Sequence, residues 1–358
     1  MKKSRRRGNN LESRYSEDKY LISYCLNSSI FDEYDIEVND IVPLRNVYAI
    51  YTNKGIKIFK RLTYSKERLN FIESSLEHIR KSYPYIIEFS KNVAGDSYVD
   101  YKGDTYVLIN GIEGRECEVY NPVDIGRVSR ALAELHLASK GIIAELPSDL
   151  IAKEENLSLG RLKTFLKKDL ELIDDFHKRV KGFTNQNEFD KLFYSSADAI
   201  KNTLHKCEEL IEDSDYKEFC SSEESVVLCH GDLAHHNIII KGNEVWFLDF
   251  DYCNIDLRAK DIADFIDKFI KGCGYDMDKC RDIIMSYDKI YPLNHQEMKL
   301  IYIWLMYPRS LISILRGYYN KEKNWDYRVF LDRFTKKLQQ MEDRELFLKE
   351  FYTENLGS

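Results

Sequence analysis

Apolar positions recur with two different periods along this chain. Before residue 110 they fall mostly in short runs, over 41–44, Val47–Thr52 and Gly55–Arg61, with Asn53-Lys54-Gly55 as a turn signal. Runs of this kind bounded by turn residues predict strands, the last two joined as a hairpin. A second hairpin is predicted over 97–101 and 105–109, around Lys102-Gly103-Asp104. Between the hairpins, Leu69, Ile72, Leu76 and Ile79 repeat at helical spacing. They predict a helix over 65–82, capped by Ser65 and ended by Pro84. A further helix is expected over 17–26, with Tyr20, Leu21 and Tyr24 on one side.

After residue 110 the helical period takes over. Ile125, Val128, Leu132 and Leu135 place a helix over 122–139, and His136 extends its apolar face as a packing histidine. Further helices are predicted over 160–180, 187–211, 256–271, 278–291, 295–307, 310–319 and 325–352, with breaks at Pro292 and Pro308. Trp304, Tyr307, Tyr318, Tyr319 and Trp325 are expected in the core. A chain of 358 residues exceeds the size at which one core usually suffices. The expected fold is therefore α+β and bilobal. A small β-rich N-lobe covers 17–109 and a large, mainly helical C-lobe covers 110–358. A basic tail over 1–16, expected to be disordered, precedes them.

One stretch breaks the helical pattern of the C-lobe. Cys229-His230-Gly231-Asp232-Leu233-Ala234-His235-His236-Asn237 is followed by Ile238-Ile239-Ile240, a turn at Lys241-Gly242-Asn243-Glu244, and Val245-Trp246-Phe247-Leu248. The two apolar runs predict a hairpin that returns Asp249 to the neighbourhood of Asn237. Phosphoryl transfer needs a carboxylate near the acceptor hydroxyl and oxygen ligands for the Mg²⁺ that accompanies ATP. Kinase catalytic loops carry an Asp base and, five residues on, an Asn metal ligand. Asp232 and Asn237 have that spacing, and Asp249 supplies the second metal ligand. Asp251 is either a further metal ligand or a turn former. The competing view is a loop and hairpin in which Asp and Asn serve only the turns. A zinc site from His230, His235, His236, Cys229 and Cys253 is the other alternative, and no Cys-x-x-Cys or His-x-x-x-His pair supports it.

The nucleotide side is read from the first strands. Ile58 and Lys60 share one face of a strand, which suits an adenine contact and a phosphate contact; Lys57 is the fallback. A helix Glu should pair with that lysine, and Glu73 is chosen over Glu67 and Glu77. Pro43-Leu44-Arg45-Asn46-Val47 is the loop expected to cover the phosphates. It contains no glycine, so Arg45 and the Asn46 side chain would stand in for the amide contacts that glycine eases. Asn110-Gly111-Ile112-Glu113-Gly114 reads as the hinge, with Asn110 and Ile112 meeting adenine. The acidic group Asp251, Asp256, Asp261 and Asp264 would either attract a cationic acceptor or serve metal binding and helix capping.

Composition narrows the class. A net charge of −7 argues against nucleic acid as an obligatory partner of the folded body. No apolar run approaches the ~20 residues of a membrane span. The basic start, Lys2, Lys3, Arg5, Arg6 and Arg7, lacks the apolar stretch of a secretory signal. It is a disordered terminus or an anchor to an anionic surface or polymer. Eight scattered cysteines without a framework spacing fit reduced thiols in a cytoplasmic setting.

His230-Gly231-Asp232 with Asn237, followed by Leu248-Asp249-Phe250-Asp251-Tyr252, resembles the aminoglycoside phosphotransferase and choline kinase superfamily, whose members have a protein kinase-like fold. Further segments narrow the likeness: Phe59-Lys60-Arg61-Leu62, Gly114-Arg115-Glu116-Cys117, Asn187-Glu188-Phe189-Asp190, Phe250-Asp251-Tyr252-Cys253, Tyr291-Pro292-Leu293, and Tyr318-Tyr319 with Trp325. Together they resemble the bacterial spore coat protein CotS family, from about residue 30 to the C-terminus. The resemblance implies Asp232 as catalytic base, Asn237 and Asp249 as Mg²⁺ ligands, and Lys60 as the phosphate-binding lysine. It also implies production in the mother cell of a spore former and deposition on the spore coat. Two functions follow as expectations. One is an ATP- and Mg²⁺-dependent phosphotransferase acting on a hydroxyl of a small molecule or of a cell-wall or coat component. The other is an inactive pseudokinase that binds other spore coat proteins as a scaffold.

Overall fold

The computed structural model describes residues 28–44 and 47–357. The expected tail over 1–16, the helix over 17–26, and Arg45 with Asn46 lie outside the described residues. The chain forms two compact units. One runs to Leu69 and resumes over Ile87–Gly114; the other takes Asn70–Ile86 and Arg115–Ser358.

The first unit is built on an antiparallel sheet. Strands β1 (Val38–Leu44), β2 (Val47–Thr52), β3 (Gly55–Arg61), β4 (Tyr98–Tyr101) and β5 (Asp104–Asn110) lie in the order β1-β2-β3-β5-β4. The predicted hairpins are present, and the turn at Gly55 uses a φ of +91° that favours glycine. Strand alternation sends Phe59 into the core, where Tyr106 stacks on it at 4.9 Å and Phe31 meets its edge at 5.0 Å. Ile30, Tyr34, Ile50, Val99 and Leu108 complete this cluster. The loop expected to cover phosphates is shorter than its five residues. Pro43, Leu44 and Val47 are already paired in β1 and β2, with Leu44 opposite Val47.

Helix α1 (Lys66–Arg80) starts as predicted, with the Arg68 amide donating to Ser65 Oγ at 3.2 Å. Its later turns belong to the second unit, which is mainly helical. There α2 (Pro122–Ala138), α3 (Leu162–Lys181) and α4 (Glu188–Glu212) precede a short-stranded region. Strands β6 (Arg115–Glu116), β8 (Ile238–Lys241) and β9 (Glu244–Phe247) form one small sheet; β7 (Val226–Cys229) and β10 (Asn254–Leu257) pair antiparallel in another. Helices α5 (Arg258–Ile270), α6 (Met277–Asp288), α7 (His295–Met306), α8 (Arg309–Tyr319) and α9 (Tyr327–Asn355) follow.

The helix predicted over 256–271 starts two residues late. Asp256 and Leu257 are strand residues, opposite Val227 and Val226, and all four residues of β10 are buried. Asp256 is therefore no helix cap. Its carboxyl is 2% exposed and pushed up by burial, with Lys260 Nζ 3.5 Å away. The start of α5 is anchored by Arg258, which makes a two-pronged contact with Glu297 (2.6 and 2.7 Å) and lies 3.7 Å over the Tyr291 ring. One stretch, His295–Tyr319, is long and apolar enough to cross a membrane by length and composition. Of its most apolar window 78% is buried inside the chain, and Pro308 lies between its two helices.

Candidate functional site

Strand β7 is buried throughout and delivers the chain to His230. Gly231 then turns with φ +78°, and a Cβ there would lie 2.3 Å from the Tyr252 carbonyl oxygen. Only glycine fits such a position without displacing backbone. The turn is fixed by Asp261 on α5, a residue with no solvent exposure. Its carboxylate accepts the amide hydrogens of His230 (2.8 Å) and Gly231 (3.1 Å), and His136 Nε2 lies 3.2 Å away. Burial alone would raise the Asp261 pKa. The hydrogen bonds from His136 and the His230 amide outweigh it and hold the group down to about 2. Burial pushes the His136 pKa down. A neutral ring with Nε2–H toward Asp261 leaves Nδ1 to accept from Tyr287 Oη at 2.8 Å.

His230 is fixed at both ring nitrogens. Nε2 donates to the Leu248 carbonyl (2.8 Å), and Nδ1 accepts the Asp232 amide (3.2 Å). The loop and the hairpin are thereby tied together. Asp232 follows, and its side chain is about one third exposed (32%). One carboxylate oxygen, Oδ1, is ion-paired with Lys268 of α5; the other, Oδ2, accepts from Asn237 Nδ2 at 3.1 Å. Asn237 Nδ2 also donates to the Asp232 carbonyl at 2.9 Å. With the amide nitrogen committed to Asp232, Oδ1 of Asn237 is the atom able to face a cation.

The predicted hairpin is β8 and β9, with Ile238 opposite Phe247. The Leu248 amide donates to the Asn237 carbonyl at 2.8 Å, so the chain does return beside Asn237. Asp249 comes next, in a left-handed conformation (φ 60°), and Asp251 sits in the short helical turn Phe250–Tyr252. Asp232 and Asn237 are thus in direct contact, and Asp249 follows the residue bonded to Asn237.

Lys60 and Ile58 lie on β3 in the first unit, facing away from the Phe59 core. Lys57, the fallback, is committed elsewhere: its Nζ donates to Asn110 Oδ1 and lies 3.4 Å from Ser90 Oγ. Asn110 is held too. Its Nδ2 donates to Glu88 Oε2 at 2.7 Å, and its backbone amide donates to the Glu88 carbonyl at 3.0 Å. Gly111 gives its amide to Ile56, and a Cβ there would lie 2.7 Å from the same carbonyl oxygen. These amides are therefore not open to adenine, and Ile112 is the next residue along the segment. Glu73 lies on the part of α1 that belongs to the second unit. Arg45 is outside the described residues.

Three of the four acidic residues are already engaged. Asp256 faces Lys260, Asp261 holds the loop, and Asp264 is paired with Arg309. The zinc alternative loses two ligands, because His230 uses both nitrogens and the Cys229 thiol is pushed far up by complete burial. Among the described residues no group of three or more His, Cys, Asp or Glu side chains is placed to hold a metal. Magnesium with ATP needs no such cage, since a few protein oxygens, phosphate and water complete its shell. Asn237 Oδ1 and the Asp249 carboxylate are hard oxygen donors of the right type for it.

The family model described as "Spore coat putative kinase YutH" matches residues 27–351. Spore coat protein S of Bacillus subtilis (strain 168) is 21% identical over 281 residues, covering 78% of each chain. Among solved structures, an aminoglycoside phosphotransferase from Alicyclobacillus acidocaldarius has a TM-score of 0.75 at 18% identity, covering 93% of this chain and 97% of its own. A spectinomycin phosphotransferase, solved with ADP and spectinomycin, has a TM-score of 0.64 at 12% identity and coverages of 93% and 99%. At these identities the structural likeness establishes the fold, which is the expected α+β kinase-like one.

Proposed function

Because the chain belongs to the YutH family of spore coat kinase-like proteins, we propose that it transfers the γ-phosphoryl group of ATP to a hydroxyl. The observation that carries this is the contact of Asn237 with Asp232 on a loop clamped from beneath by Asp261. Asp232 Oδ2 receives the acceptor's hydroxyl hydrogen as the acceptor oxygen bonds to the γ-phosphorus and ADP leaves. Asn237 and Lys268 keep that carboxylate oriented, so little reorganisation is needed at the moment of transfer. Mg²⁺ bound with ATP would neutralise phosphate charge, and Asn237, Asp249 and Asp251 would hold it. Lys60 keeps the phosphate-binding role that the resemblance implies, and Ile58, Glu73, Arg45 and Ile112 keep the nucleotide-side roles read from the strand, the helix, the loop and the hinge. With Asn110 and Gly111 amides occupied, the adenine contact shifts toward Ile112. The family's naming for the coat supports deposition on the spore, and production in the mother cell is what the resemblance implies.

The test is ADP formation from MgATP with a panel of alcohols, sugars and soluble wall fragments, on wild type and Asp232→Asn. Acceptor-dependent ADP formation that disappears in a folded Asp232→Asn variant supports the transfer. Equal rates in the two proteins would overturn the role of Asp232. No ADP with any acceptor would favour the coat scaffold, for which the glycine-free β1–β2 hairpin speaks.

A further inference from the structure

Beside α5 the second unit opens a cavity of about 330 Å³. That volume is at the small end for ligand sites and suits a small molecule rather than a polymer. Lys268 lines the cavity, and its Nζ is also the partner of Asp232 Oδ1. The cavity therefore begins one side chain away from the proposed base.

Its wall carries more cations than anions. The two acidic side chains are already neutralised: Asp264 by Arg309, and Asp267 by Lys271 at 3.6 Å. A cationic ligand would have to displace one of these partners to reach a carboxylate. On α9, Lys337 and Arg344 make no ion pair within 4 Å among the described residues, although Asp267, already paired with Lys271, acts on Lys337 at longer range. Lys337 Nζ donates to Gln340 Oε1 (2.8 Å), and Arg344 donates one nitrogen to the Met306 carbonyl (3.0 Å). Arg344 Nε is buried without a hydrogen-bond partner, and so is Nε1 of Trp304, a cavity-lining residue 4% exposed. Buried donors without partners are uncommon in folded proteins, and a ligand is one way to satisfy them. Lys337 is held below the usual lysine range by burial and by the charge of Lys271, a strain that an anion would relieve.

We propose that this cavity is the acceptor subsite and that its occupant is a small hydroxylated anion, a polyol bearing a carboxylate or phosphate. This rests on the phosphotransferase function proposed above. Lys337, Arg344 and Trp304 hold the anionic end, and the hydroxyl is directed toward Asp232. The oxygen of that hydroxyl bonds to the γ-phosphorus of ATP, the bond from that phosphorus to the β-phosphate oxygen breaks, and the proton passes to Asp232.

Calorimetric titration of the full chain without nucleotide tests the subsite by itself. The probes are D-gluconate (carboxylate), glycerol 3-phosphate (phosphate), glycerol (neutral) and choline (cation). One of the two anions should bind at least roughly tenfold more tightly than glycerol and choline. Lys337→Ala and Arg344→Ala should each weaken that binding by about tenfold, while Lys349→Ala, exposed on the same helix, should not. Where an alanine variant fails to fold, Lys337→Met and Arg344→Met keep the side-chain bulk and remove the charge. No preference for either anion, or anion binding undiminished by the charge-removing variants, overturns the proposal. Adding MgATP separates the two levels. Anion binding without ADP formation leaves the subsite standing and removes the transfer function. ADP formation with choline, unchanged in Lys337→Met, does the reverse.

Discussion

The carboxylate of Asp261 accepts the amide hydrogen of His230 at 2.8 Å across 31 positions of sequence. It takes the Gly231 amide as well, so one buried side chain sets the geometry of the loop that presents Asp232. An asparagine there has one acceptor oxygen for three donors. Asp261→Asn should cost on the order of 1–3 kcal/mol by leaving a buried donor unsatisfied, read as a lower urea midpoint. The same group makes stability depend on pH. Its folded pKa is depressed to about 2. Its contribution is complete above the unfolded carboxylate range and is lost as pH falls through about 4 to about 2, roughly 2 kcal/mol in all. Acid titration of Asp261→Asn should show a shallower loss over that window, and parallel curves would refute the assignment.

Gly231→Ala should be among the most damaging single changes. The added methyl would meet the Tyr252 carbonyl, and the left-handed backbone adds strain of about 1–3 kcal/mol on its own. A large fall in melting temperature is expected. A variant as stable as wild type would mean the turn is looser than described.

Lys268→Met separates stability from chemistry. Partly exposed ion pairs such as this one, 24% and 32% exposed at the side chains, contribute at most about 1 kcal/mol, so the melting temperature should barely move. Loss of the group holding Asp232 Oδ1 should lower kcat by roughly tenfold or more and leave KM for ATP within about twofold. A rise in ATP KM with unchanged kcat would place Lys268 on the nucleotide side instead.

The hairpin carrying Asn237 and Asp249 was legible because Ile238–Lys241 and Glu244–Phe247 are short apolar runs around Gly242, a local signal. The clamp beneath it was not. Asp261 sits near a helix start, where an acid is explained by the dipole, and its partners His230 and His136 are distant in sequence. Asp256 has the same helix-start signal in the sequence, and its strand pairing with Val227 is visible only in three dimensions. Lys268 carried no signal at all, because a lysine on an amphipathic helix is by default a solvated one. The spacing of the acidic group leaves a cationic acceptor open beside metal binding and helix capping. Lys260, His136 and Arg309 answer those charges, and sequence spacing reveals only the first of them.

Arg258 and Glu297 give a test of the second unit's core. The pair is 5% and 2% exposed at the side chains and joins the start of α5 to α7. Removing one partner leaves a buried charge, so Arg258→Met should cost about 3–5 kcal/mol in urea unfolding. The double variant Arg258→Met with Glu297→Leu should recover part of it, and no recovery would mean that the arginine's stacking on Tyr291 matters more than its charge.

The proposed transfer requires a magnesium-nucleotide site at Asn237 and Asp249. It is tested most directly by the melting temperature of the full chain with ATP, with and without Mg²⁺, in wild type and Asp249→Ala. A ligand that binds only the folded state must raise stability. The expected result is a rise that requires Mg²⁺ and is lost in a folded Asp249→Ala variant. No rise for well-folded wild type at millimolar MgATP, or the same rise in Asp249→Ala, would contradict it.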